Sequence, residues 1–514
     1  MVSTIAFWRV LRGIVRLAGI SCVLHTVGVE GIASAARSVP PTGNRGVIAE
    51  ACQAPFPSDW RPSEQWAWGQ ICASEQADFN VREGRDANVP LSPIDQSGWD
   101  TNREIRPAFL ATILLTEPYR SAIPNIGAFF KGAWITGPLA LGNAKLPALL
   151  GLEWSKFESD VDLSGTMTKY PVYLDDSWIR GSLSANSARL GAFTWPGLYV
   201  DGTVDLTGAH IAGYLWASNA CVWGVVAADL MKVDGDANID GVYFANSTGP
   251  TNFENATFKS LLDVSGSVFY SLDLTGATVA GELILGRNSE AKWSPNVAAW
   301  YLSPHGKNDV QLTLRGTTVA SWTANKDGWP LLYLAGFKYS YFNILELKDS
   351  TDIVDWGITT FLANDRSGSL QPYEQFAATL SARGFGSNAD DVRYAERDYQ
   401  RINSSGMQRL ILTMSWLFIG YGCGFGYFRA LAWMAGLVVI ARTIVWLSRE
   451  NECRTKPIDT LYCIDVFVPF LQLRGEIKEI TVNSRLLFWY LIFHRAAGYL
   501  LGSFVLAGIA GLTK

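Results

Sequence analysis

The stretch Leu206-Thr-Gly-Ala-His-Ile211-Ala-Gly-Tyr-Leu215 carries apolar residues five apart, with small residues between them, and the pattern recurs at Leu274–Leu283 and Phe130–Leu139. An α-helix would need apolar residues at spacings of three and four, and a flat strand at every second position. A period of five predicts a chain that turns a corner every five residues. Four corners close a square coil of about twenty residues, and stacked coils form a right-handed parallel β-solenoid with an apolar interior. The predicted fold class is therefore mainly β.

Weaker copies of the repeat extend the predicted solenoid over residues 126–370. The stretches Val161–Gly165, Leu174–Gly181 and Leu314–Val319 keep its phase. The separations between the clear copies, which start at Phe130, Leu206 and Leu274, are not multiples of twenty, so insertions must interrupt the coils. The largest predicted insertion spans residues 286–312.

Aromatic residues in and after this insertion form the candidate binding surface. Loops that leave a solenoid frequently bind ligands. A loop without function is the alternative that the sequence leaves open. The candidate residues are Trp293, Trp300, Tyr301, His305, Trp322 and Trp329.

Residues 1–38 have the features of an export signal. Arg9, Arg12 and Arg16 precede an apolar stretch, and Ala33-Ser-Ala35 offers a small-residue cleavage site. An uncleaved N-terminal anchor and a cytoplasmic amphipathic segment remain alternatives.

Residues 39–125 lack the five-residue rhythm and are predicted to form a cap over the first coil, because an open solenoid end exposes unpaired strand edges. Cys52 and Cys72 flank a short Trp-rich stretch within this cap. In an exported chain they are candidate disulfide partners, whereas in a reducing compartment they are two free buried thiols.

The C-terminal part of the chain is predicted to be helical and to meet a membrane. Residues 371–406 have the pattern of a helical hairpin that caps the last coil. Long uncharged runs then predict a membrane module over residues 407–514. Within it we expect an interfacial helix at 407–419 and membrane spans at 427–447 and 492–512.

Composition and motifs offer little support for catalysis. The net charge of −5 gives no reason to expect nucleic acid as a partner. The four histidines share no metal-ligand spacing, and neither a Cys-x-x-Cys nor a Gly-x-Ser-x-Gly motif occurs. We therefore predict no cofactor and no metal. The acid pairs Asp160/Asp162 and Asp175/Asp176 leave a polysaccharide-cleaving site as an alternative to ordinary outward-facing residues.

Motifs outside the repeats connect the chain to a known family. They are Ile71–Asn80, Phe109–Ala122, Gly420-Tyr-Gly422, Phe428–Trp433 and Cys463–Phe470. With the repeats, they resemble a bacterial family of pentapeptide-repeat-like β-solenoid proteins that end in a transmembrane hairpin, and the resemblance covers most of the chain beyond residue 38. It implies membrane attachment through that hairpin. Some relatives are labelled membrane-associated oxidoreductases, but no catalytic residues define the family, and this sequence shows no site for a redox cofactor.

These features predict a multi-pass protein of the bacterial inner membrane. Basic residues flank the first predicted span on both sides, so the positive-inside rule does not fix the orientation. The export signal favours a periplasmic solenoid, and the cytoplasmic orientation stays open.

The expected function is that of a membrane-anchored binding or scaffolding platform. Its expected partners are the lipid bilayer and a protein or glycan on the solenoid face, with self-association also open. One alternative is a channel or pore built from the hairpin, in which Arg442 and Arg495 would be intramembrane charges. Another is a carbohydrate-active or redox membrane enzyme.

Overall fold

The computed structural model describes residues 52–86, 88–246, 249–286, 310–347, 349–423, 426, 428–448, 458–467 and 484–509. The predicted signal or anchor at 1–38 lies outside these residues. The chain divides into two compact units. The first extends to Glu346 and includes Asn364–Ser367, and the second comprises Leu347–Ala363 and the chain from Gly368 onward. The first unit is a parallel β-solenoid of about nine turns, and the second is helical.

The interior of the solenoid is filled by inward-facing buried residues. Along the chain these residues are separated by two, three, two and then four positions, and one set of these four steps makes a half-coil. Over four half-coils these residues are Val204, Leu206, Ala209, Ile211, Leu215, Ala217, Ala220, Val222, Val226, Ala228, Met231, Val233, Ala237, Ile239, Val242 and Phe244. Two halves make one coil, so neighbours such as Ser155 and Ser177 are 22 residues apart. The predicted coil of about twenty residues is therefore too short for most turns. The spacing of five in the sequence is one step of two added to one step of three.

Left-handed residues turn the chain at alternate corners. In the first coils they recur once in each half-coil, at Asn143, Trp154, Gly165, Asp176 and Ser187. Glycine adopts this conformation without steric cost, and Asn and Asp tolerate it better than bulkier residues do. The corner residues therefore set the length of each half-coil.

The strands form three parallel sheets along the solenoid. The seven-strand sheet contains Glu104–Ile105, Trp134–Ile135, Lys156–Phe157, Trp178–Ile179, Tyr199–Val200, Cys221–Val222 and Tyr243–Phe244. The nine-strand sheet contains Leu139–Ala140, Val161–Asp162, Leu183–Ser184, Val204–Asp205, Val226–Ala227, Thr251–Asn252, Ser271–Asp273, Gln311–Thr313 and Leu331–Tyr333.

The fifteen-strand sheet covers the other two faces, which merge at the long strand Thr278–Ile284. One arm contains Ala77–Asp78, Ala128–Lys131, Leu150–Glu153, Pro171–Tyr173, Ala192–Thr194, Leu215–Trp216, Ala237–Asn238 and Leu262–Asp263. The other arm contains Arg189–Leu190, His210–Ile211, Lys232–Val233 and Thr257–Phe258. Two further long strands, Thr318–Asn325 and Lys338–Leu345, continue the merged sheet.

Buried hydroxyl groups join successive coils inside the solenoid. The Oγ1 of Thr166 donates to the carbonyl oxygen of Leu141 at 2.7 Å, and the Oγ of Ser177 donates to that of Leu152 at 2.8 Å. Because each bond reaches the coil before it, these polar side chains are satisfied without water in the interior.

The N-terminal segment also contributes strands to the solenoid. The described residues of this segment form four helices: α1 (Pro62–Cys72), α2 (Phe79–Arg82), α3 (Pro107–Leu115) and α4 (Tyr119–Ala122). The strands Ala77–Asp78 and Glu104–Ile105 pair with the first coil, so stacking begins inside the range 39–125 that the rhythm assigns to a cap. A disulfide joins Cys52 to Cys72 at the end of α1.

The described residues of the second unit form helices. They are α5 (Ser350–Trp356), which continues into a π-helical turn (Gly357–Phe361), α6 (Gln371–Ala382), α7 (Gly386–Asn403), α8 (Gly406–Ile419), followed by a 3₁₀ turn (Gly420–Gly422), α9 (Phe428–Leu447), α10 (Thr460–Phe467) and α11 (Arg485–Ile509). The helix α8 coincides closely with the interfacial helix predicted at 407–419. It ends where Gly420 adopts a left-handed conformation with a φ of 53°.

Within the described ranges, one helix segment, Arg429–Leu447, is long and apolar enough to cross a membrane. It overlaps the first predicted span. The second predicted span, at 492–512, falls largely on α11, which begins at Arg485 and carries His494 and Arg495. The described residues therefore do not support a hairpin of two spans, and they do not support a multi-pass protein.

Candidate functional site

Aromatic residues lie in register on the outer face of the seven-strand sheet. The second residue of each strand is buried in the interior, so strand alternation places the first residue outside. The outer column, in order of pairing, is Trp134, Lys156, Trp178, Tyr199, Cys221 and Tyr243. Successive members are separated by the spacing of paired strands, about 4.8 Å.

A second column of side chains lies beside the first, and its carboxylates accept hydrogen bonds from indole rings of the first column. It consists of the residues that follow the strands, namely Glu158, Arg180, Asp201 and Trp223. The Nε1 of Trp134 donates to Oε1 of Glu158 at 3.0 Å, and the Nε1 of Trp178 donates to Oδ1 of Asp201 at 3.0 Å. Each carboxylate comes from the following coil, so the edge of each indole is held along the solenoid face.

The charges on this face are paired with one another. Arg180 Nη1 donates to Oε2 of Glu158 at 2.6 Å, and Nζ of Lys156 lies 3.6 Å from Oε1 of the same carboxylate. Desolvation alone would raise the pKa of Glu158, but the hydrogen bonds from Arg180 and Trp134 and the charge of Lys156 outweigh it and lower that pKa. Both cations also lie against the Trp178 ring, Lys156 Nζ at 5.3 Å and Arg180 Cζ at 5.5 Å from its centroid.

One end of this face is covered and the other is open. Lys156 is buried and lies 5.9 Å from the ring of Trp99, in the N-terminal segment of the same unit. Trp178 is partly exposed, and Trp223 is 58% exposed. We call the stretch from Trp178 to Tyr243 the open aromatic face; it spans four successive coils.

A column of charged residues follows the edge of the fifteen-strand sheet. Asp78 pairs with Lys131, and Lys131 pairs with Glu153. Asp175 occupies the next coil, where its carbonyl oxygen accepts from the backbone N–H of Trp154. Burial, and then the charge of Asp175, raise the pKa of Glu153 to about 8. Burial likewise raises the pKa of Asp175 to about 7, against a hydrogen bond from Thr194 and with the charge of Asp176.

Partly protonated carboxyl groups at neutral pH can donate or accept a proton. The acid pair Asp175/Asp176 singled out in the sequence thus contains one perturbed carboxyl group, and no sequence pattern pointed to its neighbour Glu153. Among the described residues, no group of three or more His, Cys, Asp or Glu side chains is placed to hold a metal ion.

The helical unit leaves many apolar side chains exposed. No residue of α8 is buried, and Met407, Leu410, Ile411, Met414 and Trp416 are exposed. The helices α9, α10 and α11 do pack on one another, through a small cluster that includes Ala441, Val445, Cys463, Val466 and Leu487. Other apolar residues of α9 and α11 face outward, namely Leu431, Trp433, Val439, Ile440, Trp446, Leu447, Leu486, Phe488, Trp489, Ile492, Phe493, Tyr499, Leu500, Phe504 and Leu506.

Polar and aromatic groups meet next to the exposed helix α8. Trp416 Nε1 donates to the hydroxyl oxygen of Tyr394 at 2.8 Å, and the guanidinium of Arg401 lies 5.4 Å from the Trp416 ring. Arg429 Nη1 donates to the carbonyl oxygen of Trp416 at 3.0 Å. Such groups of Trp, Tyr and Arg are typical of the boundary between hydrocarbon and water.

Two of the six residues of the predicted binding surface, Trp322 and Trp329, lie among the described residues, and both are buried. Trp322 is 1% exposed and Trp329 is 8% exposed, so both belong to the core. Trp322 is aligned with Leu283 and Phe342 on neighbouring coils and stacks on the Phe342 ring with centroids 5.6 Å apart. The other four candidates, Trp293, Trp300, Tyr301 and His305, lie outside the described residues.

The open aromatic face was missed because the sequence does not show which Trp residues begin a strand. The true length of the coil supplies that signal, since it aligns Trp178, Tyr199 and Tyr243 on one side.

Comparison with protein-family models, with curated proteins and with solved structures finds no match to this chain.

Proposed function

We propose that this protein is a membrane-attached β-solenoid that acts as a binding or scaffolding platform. The observation that carries the proposal is the exposed apolar surface of α8, α9 and α11. Each square ångström of apolar surface left in water costs about 25 cal/mol, so an uncovered surface of this extent is unfavourable in solution. A lipid bilayer would cover it, and Arg429–Leu447 has the length and composition to enter one.

The solenoid supports the second half of the proposal. Its described interior is filled by ladders of apolar side chains, so a ligand would bind outside. The outer face of the seven-strand sheet carries aromatic rings, and hydrogen bonds from the indole N–H groups of Trp134 and Trp178 fix two of these rings in place. A rigid binding surface requires side chains that are fixed in this way. The raised pKa values of Glu153 and Asp175 favour a carbohydrate-active enzyme as a second candidate function.

Flotation of the full chain with liposomes tests the membrane half of the proposal. We expect the protein to float with the vesicles and to stay bound in high salt. Val439→Asp should release most of it, because a carboxylate near the centre of a spanning helix costs about 3 kcal/mol. Val225→Asp is the matched control, since it makes the same change at an exposed valine of the solenoid and should leave flotation intact. A wild-type chain that stays monodisperse without detergent and does not float would contradict the proposal.

A further inference from the structure

We propose that the outer face of the seven-strand sheet binds an extended β-1,4-linked glycan that lies along the solenoid. This inference rests on the proposed role of the solenoid as a binding platform and names the ligand class and the surface. The occupant is argued from ring spacing, from the polar groups beside the rings and from the balance of charge.

The indole rings recur on every second coil. Trp134 and Trp178 lie on strands two pairing steps apart, with Lys156 on the strand between them. Trp223 directly follows the strand that is two steps beyond Trp178, with Tyr199 on the strand between. Two steps correspond to about 9.5 Å, close to the length of one disaccharide unit in a β-1,4-linked chain. In such a chain alternate sugars present the same face, so an indole on alternate coils meets equivalent sugar faces. Trp223 lies one column over from Trp134 and Trp178, so the row shifts sideways by one column between Trp178 and Trp223.

The rings and their neighbours suit a sugar. The exposed ring of Trp223 offers a flat apolar surface on which the C–H groups of a pyranose ring pack. Asp201 is exposed and accepts the indole N–H of Trp178 through Oδ1, which leaves Oδ2 to accept a hydroxyl group. The exposed guanidinium of Arg180 carries further N–H donors beyond its bond to Glu158. A ligand bearing both hydroxyl groups and apolar ring faces would use each of these features.

The charge on this face favours a neutral ligand. Lys156 and Arg180 are matched by Glu158 and Asp201, and the ion pairs lie within the face itself. A polyanion such as nucleic acid would find no excess of positive charge there. A neutral, hydroxyl-rich chain matches the balance.

Calorimetric titration of the full chain in detergent tests this inference with three probes: hexasaccharides of β-1,4-linked glucose, of β-1,4-linked N-acetylglucosamine and of α-1,4-linked glucose. We expect at least one β-1,4 probe to bind and the α-1,4 probe to bind at least about tenfold more weakly, a difference of about 1.4 kcal/mol. Trp178→Ala and Trp223→Ala should each weaken binding about tenfold. Tyr341→Ala, which removes an exposed aromatic ring from the fifteen-strand sheet, is the control and should bind as the wild type does.

Absence of binding by both β-1,4 probes at millimolar concentration overturns the inference, as does equal binding of the α-1,4 probe or an unaltered Trp223→Ala variant. Trp223 is exposed, so that variant tests the site even if Trp178→Ala does not fold. The same preparation is used for flotation. Flotation without glycan binding would contradict only this inference, whereas glycan binding without flotation would contradict only the membrane half of the proposed function.

Discussion

Glu153 and Asp175 are neighbouring carboxyl groups whose pKa values are raised, to about 8 and about 7, chiefly by burial. The ordinary values are 4.5 and 3.8, so the folded protein holds these protons over a pH range in which the unfolded chain releases them. Stability falls with rising pH wherever the folded state binds more protons. The loss therefore begins near pH 4 and continues as the pH rises through about 8.

Glu153→Gln keeps the shape of the side chain and removes its charge. We expect the variant to melt at a higher temperature than the wild type at pH 8. The difference should vanish near pH 4, where the Glu153 carboxyl group of the wild type is protonated in the folded chain and largely protonated in the unfolded chain. Melting temperatures across this range measure the effect. Glu254→Gln, at an exposed position in the same solenoid, should show no such gain. A gain for Glu153→Gln that is equal at both ends of the range would mean that titration of this group is not its cause.

At the scale of single elements, the close contact of successive coils depends on glycine at one corner. A Cβ added to Gly224 would overlap the carbonyl group of Gly202 on the coil before it, and one added to Gly202 would overlap that of Gly181. The Gly224 N–H also donates to the Gly202 carbonyl oxygen at 3.1 Å. Backbone against backbone leaves no flexible side chain to move, so the two coils must separate.

Gly224→Ala should therefore destabilise the solenoid by about 1–3 kcal/mol, as overpacked sites do. The matched control is Gly69→Ala in α1, where an added Cβ meets nothing within 4 Å. That change should raise stability by roughly 0.5–1 kcal/mol, because alanine is the better helix former. Denaturant unfolding of both variants provides the measurement. If Gly224→Ala is as stable as the wild type, the coils are not packed as described.

The same elements show what the sequence could and could not predict. The spacing of five at Leu206, Ile211 and their copies is produced by inward-facing residues, so the solenoid itself was readable. The length of a coil could not be predicted, because steps of three and of four positions alternate between the steps of two. Only the left-handed corners, such as Gly208 and Asn219, recur once in each half-coil and so mark its length. The fate of Trp322 was equally hidden, since its burial follows from register with Leu283 and Phe342 on other coils.

At the scale of the whole molecule, two units of different chemistry share one chain. The solenoid carries an open aromatic face, and the helical unit carries exposed apolar helices. The uncharged runs beyond residue 407 predicted where the apolar helices lie. They did not predict the position of His494, which is buried in α11 with its Nε2 within 3.1 Å of the Cys463 carbonyl oxygen. That contact depends on how α10 packs against α11, and local hydropathy carries no information about such packing.

The central claim is that the middle of the chain is wound into stacked coils, and one distance tests it most directly. Ala140 and Ala227 are far apart in sequence but only four pairing steps apart in the nine-strand sheet. Spin labels attached to Ala140→Cys and Ala227→Cys, with the free cysteines replaced by serine, report their separation by pulsed electron spin resonance. Four steps predict a narrow distribution centred on a backbone separation of about 19 Å, broadened by the label linkers. A broad distribution, or one centred well beyond that distance, would contradict the stacked coils and with them the proposed platform.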